Sequence, residues 1–247
     1  MAVQIINDDV ADAAIVNGVS LPVNAGLVGY FEHWGGSLTQ ARTNLVDGSL
    51  AAIVGSPVAA SDGVTMTTNT HFLQTALPET DAYTIFSIAN IGATPDGTSA
   101  GAFGLIGNFR SGSGGTQFYV RGPASGSAPA GRITSLAYVG ASVAVTHDLA
   151  LADVTGWRMR AVRFTPGSGL TTFALTSGGK VTTSNVNSRT KNALDNIAIG
   201  GRHQSTVAGV CKHGLSVIYA TALTDAQIET DMATALREIA AAAGITV

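Results

Sequence analysis

The spacing of apolar residues changes near the end of the chain. Leu215, Val217 and Tyr219 alternate with polar Ser216, as expected for a strand with two different faces. Downstream, the apolar residues recur every three or four positions, which places them on one helical face: Ile228, Met232, Leu236 and Ile239. The sequence therefore predicts a last strand at 214–220 and a C-terminal α-helix at 224–243 that packs by its apolar face.

Both ends of this helix carry recognisable signals. Thr224 is a favourable N-cap, and Gln227 three residues later completes a capping box. Leu223 and Ile228 occupy the two positions of a hydrophobic staple. Gly244 is a typical residue for ending a helix.

Upstream of residue 214, short runs with β character are separated by turn sequences. AYTIFSIANI at 82–91 is a strongly β segment, and Asp47-Gly48 and Gly178-Gly179-Lys180 are typical of turns. The other predicted strands lie at 26–34, 102–109, 116–122, 132–146, 156–164, 170–176 and 194–200. Many short strands with turn chemistry between them predict an all-β sandwich or jelly roll.

Composition narrows the class of protein. Hydrophobic residues make up 45% of the 247 residues and charged residues 12%, which indicates a packed domain rather than a disordered chain. The net charge of −3 gives no general attraction to nucleic acid, and the single cysteine excludes an intrachain disulfide. No secretory signal and no apolar run of about 20 residues is found, so we expect synthesis in the cytoplasm and no membrane insertion.

Residues 1–25 differ from the remainder of the chain. They contain nine larger aliphatic residues without a single period, interrupted by Asp8, Asp9 and Asp12. One interpretation is an extra edge strand and loop of the same domain. The other is an arm that docks on another chain, since edge strands invite pairing. We divide the chain into an N-terminal arm, 1–25, and a domain, 26–247.

Several segments, taken in order over about residues 26–240, resemble a known family. They are GLVGYF (26–31), NLVDGSL (44–50), AYTIFSIAN (82–90), WRMRAVRF (157–164), LTTFALTSGG (170–179), NIAIGGR (196–202) and GLSVIYATALTDAQIETDM (214–232). This order is similar to the concanavalin A-like, laminin-G-like jelly roll of bacteriophage tail and other virion proteins. The resemblance implies two antiparallel sheets, one of them concave, and sugar or protein binding rather than catalysis.

Motifs for catalysis and metal binding are missing. Glycan hydrolases of this fold need two carboxylates beside the sugar bond, usually as E-x-D-x-x-E on one strand. None of the four glutamates, Glu32, Glu79, Glu229 and Glu238, lies in that pattern. There is also no H-E-x-x-H sequence and no cofactor motif. We therefore expect a protein that is not an enzyme and has no cofactor.

Two further groups of residues leave alternatives open. Cys211 and His213 fall on one face of a strand, where a small core thiol competes with a catalytic Cys–His pair. Calcium binding through loop carboxylates stays open, although no D-x-D cluster supports a metal site. The candidate carboxylates are Asp47, Asp96, Asp148 and Asp195.

The ligand-binding candidates are arginines and aromatic residues. On a strand, Trp157 and Met159 share one face, and Arg158 and Arg160 share the other. The arginines are either a solvated face or line the concave sheet and bind an acidic sugar or a neighbouring subunit. Three further candidates are Arg202 and His203, on a rim loop, and Trp34, which either stacks on a sugar or packs in the core.

The family resemblance implies a virion protein, and the missing catalytic motifs favour a non-enzymatic one: a tail fibre, baseplate or capsid decoration that binds host-surface glycan or a neighbouring virion protein. The alternatives are a purely structural decoration or assembly protein and a glycan-cleaving enzyme. We expect other virion proteins to bind through residues 1–25, with no nucleic acid partner. The resemblance to phage fibres implies a homo-oligomer, with a trimer favoured.

Overall fold

The computed structural model describes residues 15–16, 19–96, 98, 101–110, 112–123, 131–139, 143–183, 189–201 and 207–247. Within these residues, the strands are β1 (Ile15–Val16), β2 (Val19–Ser20), β3 (Leu27–Glu32), β4 (Ala52–Val54), β5 (Val58–Ala60), β6 (Gly63–Thr67), β7 (Phe72–Gln74), β8 (Tyr83–Ile91), β9 (Phe103–Gly107), β10 (Thr116–Arg121), β11 (Gly131–Val139), β12 (Val143–Leu151), β13 (Gly156–Thr165), β14 (Gly169–Ala174), β15 (Lys180–Thr183), β16 (Ala198–Ile199) and β17 (Val210–Tyr219). A short helix, α1 (Leu38–Ala41), follows β3, and the C-terminal helix contains a π-helical segment, Gln227–Met232, and α2 (Ala233–Ala242).

Two large antiparallel sheets pack face to face. Among the described residues, one has seven strands in the order β12-β11-β10-β9-β16-β7-β4. The other has eight strands. Seven follow the order β15-β14-β13-β8-β17-β6-β5, and the eighth, β3, also pairs with β17. Every strand pair is antiparallel, including the small separate pair β1–β2. The predicted all-β jelly-roll sandwich of two antiparallel sheets with one C-terminal helix is thus confirmed.

The centre of the eight-stranded sheet is buried on both faces, as its strand β8 illustrates. Ile85 and Ala89 point into the core between the two sheets, whereas Phe86 and Ile88 point into a second core under the C-terminal helix. Because both faces are covered, β8 is an almost continuous apolar run rather than a simple alternation.

The capping signals of the C-terminal helix operate as predicted. The Gln227 backbone N–H donates to Thr224 Oγ1 at 3.2 Å, and the Thr224 backbone N–H donates to Gln227 Oε1 at 2.9 Å. At the other end, Gly244 adopts a positive φ of 77°, and the Ile245 N–H donates to the Ala240 carbonyl. These contacts form a Schellman motif, so the helix ends where the sequence predicts.

The apolar face of this helix is buried, as predicted. Ile228, Met232 and Leu236 are each 0% exposed. The π-helical turns were not predicted; their wider hydrogen bonds, such as Ala233 N–H to the Ile228 carbonyl, bring Ile228, Met232 and Ala233 together against the sheet.

Two predicted strands differ from the observed ones. The segment 132–146 belongs to two long strands, β11 and β12, which pair with each other from Gly131↔Leu151 to Val139↔Val143. The segment 194–200 forms a strand only at its end, in β16. The Asn192 side chain accepts hydrogen bonds from the Leu194 and Asp195 backbone N–H groups, and this local turn competes with strand formation.

The end of the predicted arm, at residues 21–23, packs on the domain. Leu21 and Val23 lie in the core under the C-terminal helix, and the Tyr219 hydroxyl donates to the Val23 carbonyl at 2.7 Å. The division after residue 25 and the assembly role of residues 1–25 stay predictions. No helix in the described part of the chain is long and apolar enough to span a membrane.

Candidate functional site

The outer face of the seven-stranded sheet carries charged side chains where β10, β11 and β12 run side by side. Phe118 and Val120 of β10 point into the sandwich, so the intervening Tyr119 and the following Arg121 point outward. By the same alternation, Arg132 and Thr134 of β11 lie on the outer face.

Arg121, Arg132, Thr134 and Asp148 form a group that we call the Arg–Asp cluster. Asp148 Oδ2 accepts from Arg121 Nη2 at 2.8 Å and from Arg132 Nη1 at 3.1 Å. Its other oxygen, Oδ1, accepts from the Thr134 hydroxyl at 2.7 Å and from Arg121 Nη2 at 3.1 Å. One carboxylate on the edge strand β12 therefore holds side chains from β11, its paired strand, and from β10, the strand beyond β11.

The charge of this cluster is unbalanced. Arg121 and Arg132 are direct cross-strand partners, and like charges directly opposite each other are destabilising. Two guanidinium groups against one carboxylate leave one net positive charge. The side chains are partly exposed, at 25% for Arg121, 15% for Arg132 and 30% for Asp148. The cluster thus presents an accessible positive charge on a sheet face.

Apolar residues support the cluster from the side. The Arg121 guanidinium lies over the Tyr119 ring at 5.9 Å from its centre. Tyr119 itself packs with Phe109, Leu136 and Val207 in a small core on the outer face. Stacking on a packed ring restricts the positions that the Arg121 side chain can take.

Sequence reasoning missed the two arginines of this cluster and treated Asp148 as a loop candidate for calcium. Asp148 lies within β12 and is salt-bridged to both arginines. In the predicted strand 116–122, Tyr119 and Arg121 share a face by alternation, and this is the signal that could have pointed to Arg121. It did not indicate that β11 and β12 bring Arg132 and Asp148 beside them.

The structure separates Arg158 and Arg160 from any open sheet face. They lie opposite Trp157 and Met159, as predicted, but that side of β13 faces the seven-stranded sheet. Arg160 is 1% exposed and donates to the Val154 carbonyl at 2.8 Å. Arg158, 29% exposed, pairs with Asp153 at 2.5 Å. The predicted placement on an exposed concave face is therefore replaced by a buried and a rim position; their role in binding stays a prediction.

Of the three other candidates, Trp34 is the one that the structure describes. Trp34 is 8% exposed and lies in the core under the C-terminal helix, the position of the core interpretation. Arg202 and His203 fall outside the described residues. The role of each in ligand binding stays a prediction.

Cys211 and His213 lie in a buried polar group with His33. Cys211 Sγ is 3.1 Å from His213 Nε2, and His33 Nε2 is 3.0 Å from the Ser216 hydroxyl. Burial lowers the pKa of His33 to about 4 and of His213 to about 3, and raises the pKa of the Cys211 thiol to about 12. Near pH 7 the imidazoles are neutral and the thiol is protonated, which favours the core-thiol interpretation.

The described residues contain no group of three His, Cys, Asp or Glu side chains placed to hold a metal ion. Asp96 accepts from the Thr98 backbone and hydroxyl, and these hydrogen bonds hold the pKa of its carboxyl below the usual range. Asp195 pairs with Arg110 at 3.1 Å, and Asp47 accepts from the Ser49 N–H. Each of these carboxylates therefore forms hydrogen bonds or a salt bridge with another residue of the protein.

Sequence comparisons with protein-family models and with curated proteins gave no match. Comparison with solved structures shows a shared fold. Trypanosoma rangeli sialidase matches 86% of this chain with 33% of its own, at 13% identity and a TM-score of 0.55. The receptor-binding domain of botulinum neurotoxin D matches 83% of this chain with 51% of its own, at 8% identity and a TM-score of 0.54.

A structure of botulinum neurotoxin type C, which depends upon interaction with two ganglioside molecules to enter cells, matches 85% of this chain with 51% of its own. Its identity is 7% and its TM-score is 0.59. This chain therefore spans between a third and about half of the structures that it resembles. At these identities the likeness concerns the β-sandwich fold.

The comparisons correct one expectation. From the missing motifs and the family resemblance, we expected a protein that is not an enzyme. The structural neighbours include sialidases, among them a mutant with trans-sialidase activity, so this expectation is contradicted. A local motif such as E-x-D-x-x-E is an insufficient criterion, because catalytic carboxylates are defined by their separation in space.

Proposed function

We propose that the protein is a bacteriophage virion component, on a tail fibre, baseplate or capsid surface, that binds a glycan of the host surface. The observation that carries glycan binding is the fold shared with a botulinum neurotoxin that interacts with gangliosides. The phage setting rests on the resemblance of segments such as GLSVIYATALTDAQIETDM to the jelly rolls of virion proteins. The competing function is a structural decoration protein that contacts only its neighbours.

Glycan binding is tested with purified protein on an array of bacterial surface polysaccharides and sialylated oligosaccharides. We expect retention on a restricted set of glycans that the soluble form of the same glycan displaces. Heat-unfolded protein is the control, since a binding site on a sheet face requires the folded sandwich. A folded protein retained by no glycan, but bound to other virion proteins, contradicts the glycan proposal and supports the structural one.

Glycan cleavage is a second candidate function, and the sialidase neighbours favour it. It is tested by incubating the protein with each glycan that it retains and measuring free sialic acid and new reducing ends over time. Product that accumulates in proportion to protein concentration supports an enzyme. Retention of an unchanged glycan supports binding alone.

We further propose that residues 1–25 mediate assembly with other virion proteins and within a homo-oligomer, with a trimer favoured. Deleting residues 1–18 keeps Leu21 and Val23, which pack under the C-terminal helix. We expect the truncated protein to keep its melting temperature while its mass in solution falls about threefold, from trimer to monomer. Light scattering and thermal denaturation measure the two quantities; an unchanged mass and unchanged incorporation into particles would show that the segment is dispensable.

A further inference from the structure

We propose that the Arg–Asp cluster on the outer face of the seven-stranded sheet binds the carboxylate of an acidic sugar. This inference rests on the proposed glycan binding, and it names the site and the class of ligand.

The Arg–Asp cluster carries one more positive than negative charge. Arg121 and Arg132 lie directly opposite each other, and Asp148 is the carboxylate that salt-bridges both among the described residues. A second carboxylate would neutralise the remaining positive charge and relieve the repulsion between the guanidinium groups. Arginine suits this role, because its planar fork binds a carboxylate through two parallel hydrogen bonds.

Other partly exposed cations in salt bridges of the described chain are matched by an equal number of carboxylates. Arg158 is matched by Asp153, and Arg110 by Asp195. Around the C-terminal helix, two cations are matched by two carboxylates: Arg163, Lys180, Asp225 and Glu229. In those partly exposed groups the charges balance within the protein, whereas in the Arg–Asp cluster they do not.

The cluster is both accessible to a ligand and preorganised. Its arginines keep 25% and 15% of their side chains exposed, whereas the Arg160 residue is 1% exposed and out of reach. Asp148 holds both guanidinium groups, and the Tyr119 ring supports one of them. Side chains that are already fixed lose less entropy when a ligand binds, which favours affinity.

The test compares acidic sugars with matched neutral ones by calorimetry. The probes are 3′-sialyllactose against lactose, and a hyaluronan tetrasaccharide against chitotetraose. We expect the wild-type protein to bind at least one acidic probe about tenfold more tightly than its neutral counterpart, and binding to weaken as salt is raised. Tighter binding of the neutral sugars would overturn the ligand class while leaving glycan binding intact.

Variants locate the site. Arg121→Gln and Arg132→Gln should each weaken binding of the acidic probe about tenfold, because each removes one charged fork. Arg110→Gln, a charge removal at a balanced and more exposed salt bridge, is the matched control and should change binding less than about twofold. Arg121→Lys keeps the charge and the fold but loses the fork, so a drop of about threefold is expected.

The outcomes separate this inference from the proposed function. Acidic glycans bound equally well by wild type, Arg121→Lys and both glutamine variants would overturn the site and leave the proposed function standing. If the protein binds none of the probes and no glycan of the array, both the site and the proposed glycan-binding function are overturned. Thermal denaturation shows whether each variant is folded. If a glutamine variant is unfolded, the affinity of the folded Arg121→Lys protein for the acidic probe tests the site instead.

Discussion

Replacing Leu236 by alanine is expected to lower the free energy of unfolding by about 2–5 kcal/mol. Leu236 is 0% exposed and lies in the core between the C-terminal helix and the eight-stranded sheet. Alanine removes the buried side-chain atoms and leaves a cavity in a layer that holds the helix on the sheet. Urea denaturation followed by circular dichroism measures the change.

A matched control lies two residues away. Glu238 is exposed on the same helix, and Glu238→Ala should change the free energy of unfolding by less than about 0.5 kcal/mol. Equal effects of the two substitutions would mean that helix propensity, rather than packing on the sheet, determines the loss. A Leu236→Ala effect below that of the control would contradict a docked helix.

Replacing Glu79 by alanine is expected to cost about 3–5 kcal/mol of stability, because it leaves a buried arginine without its carboxylate. Glu79 and Arg189 form a salt bridge in which their side chains are 1% and 2% exposed. Glu79 Oε2 also accepts from the Asn192 N–H at 2.8 Å and from Asn108 Nδ2 at 3.3 Å. The Arg189 guanidinium lies over the Tyr83 ring, 4.7 Å from its centre.

Asp81→Ala is the control for this substitution. Asp81 is also an acid in a salt bridge, with Lys191, but its side chain is 82% exposed. Exposed salt bridges contribute between zero and about 1 kcal/mol, so this variant should denature close to the wild-type midpoint. Should Glu79→Ala denature there as well, the buried salt bridge would not stabilise the fold relative to an unpaired arginine.

The candidate site illustrates where sequence reasoning reaches its limit. The alternation in β13 correctly separated Trp157 and Met159 from Arg158 and Arg160. It assigned the arginines to an exposed face, whereas the covering layer on that side is the seven-stranded sheet. Alternation defines two faces of a strand, but what packs on each face depends on strands far away in the chain.

By itself, the sequence determined the elements whose signals are local. The capping box at Thr224, the apolar face through Leu236 and the stop at Gly244 involve hydrogen bonds and contacts between residues a few positions apart. Their formation follows from backbone geometry and the helical period, so they can be predicted from the sequence without tertiary information. The all-β class followed in the same way, from many short strands separated by turns.

Only the tertiary structure decided which charged residues meet. Arg121 and Asp148 are 27 positions apart, and their contact requires the pairing of β10 with β11 and of β11 with β12. It also decided that the centre of the eight-stranded sheet is covered on both faces, which buries Arg160. Arg121 and Arg132 instead lie on the outer face of the seven-stranded sheet and stay partly exposed. Register and layer order arise from the summed burial of many long-range contacts, and no single segment of the chain carries that information.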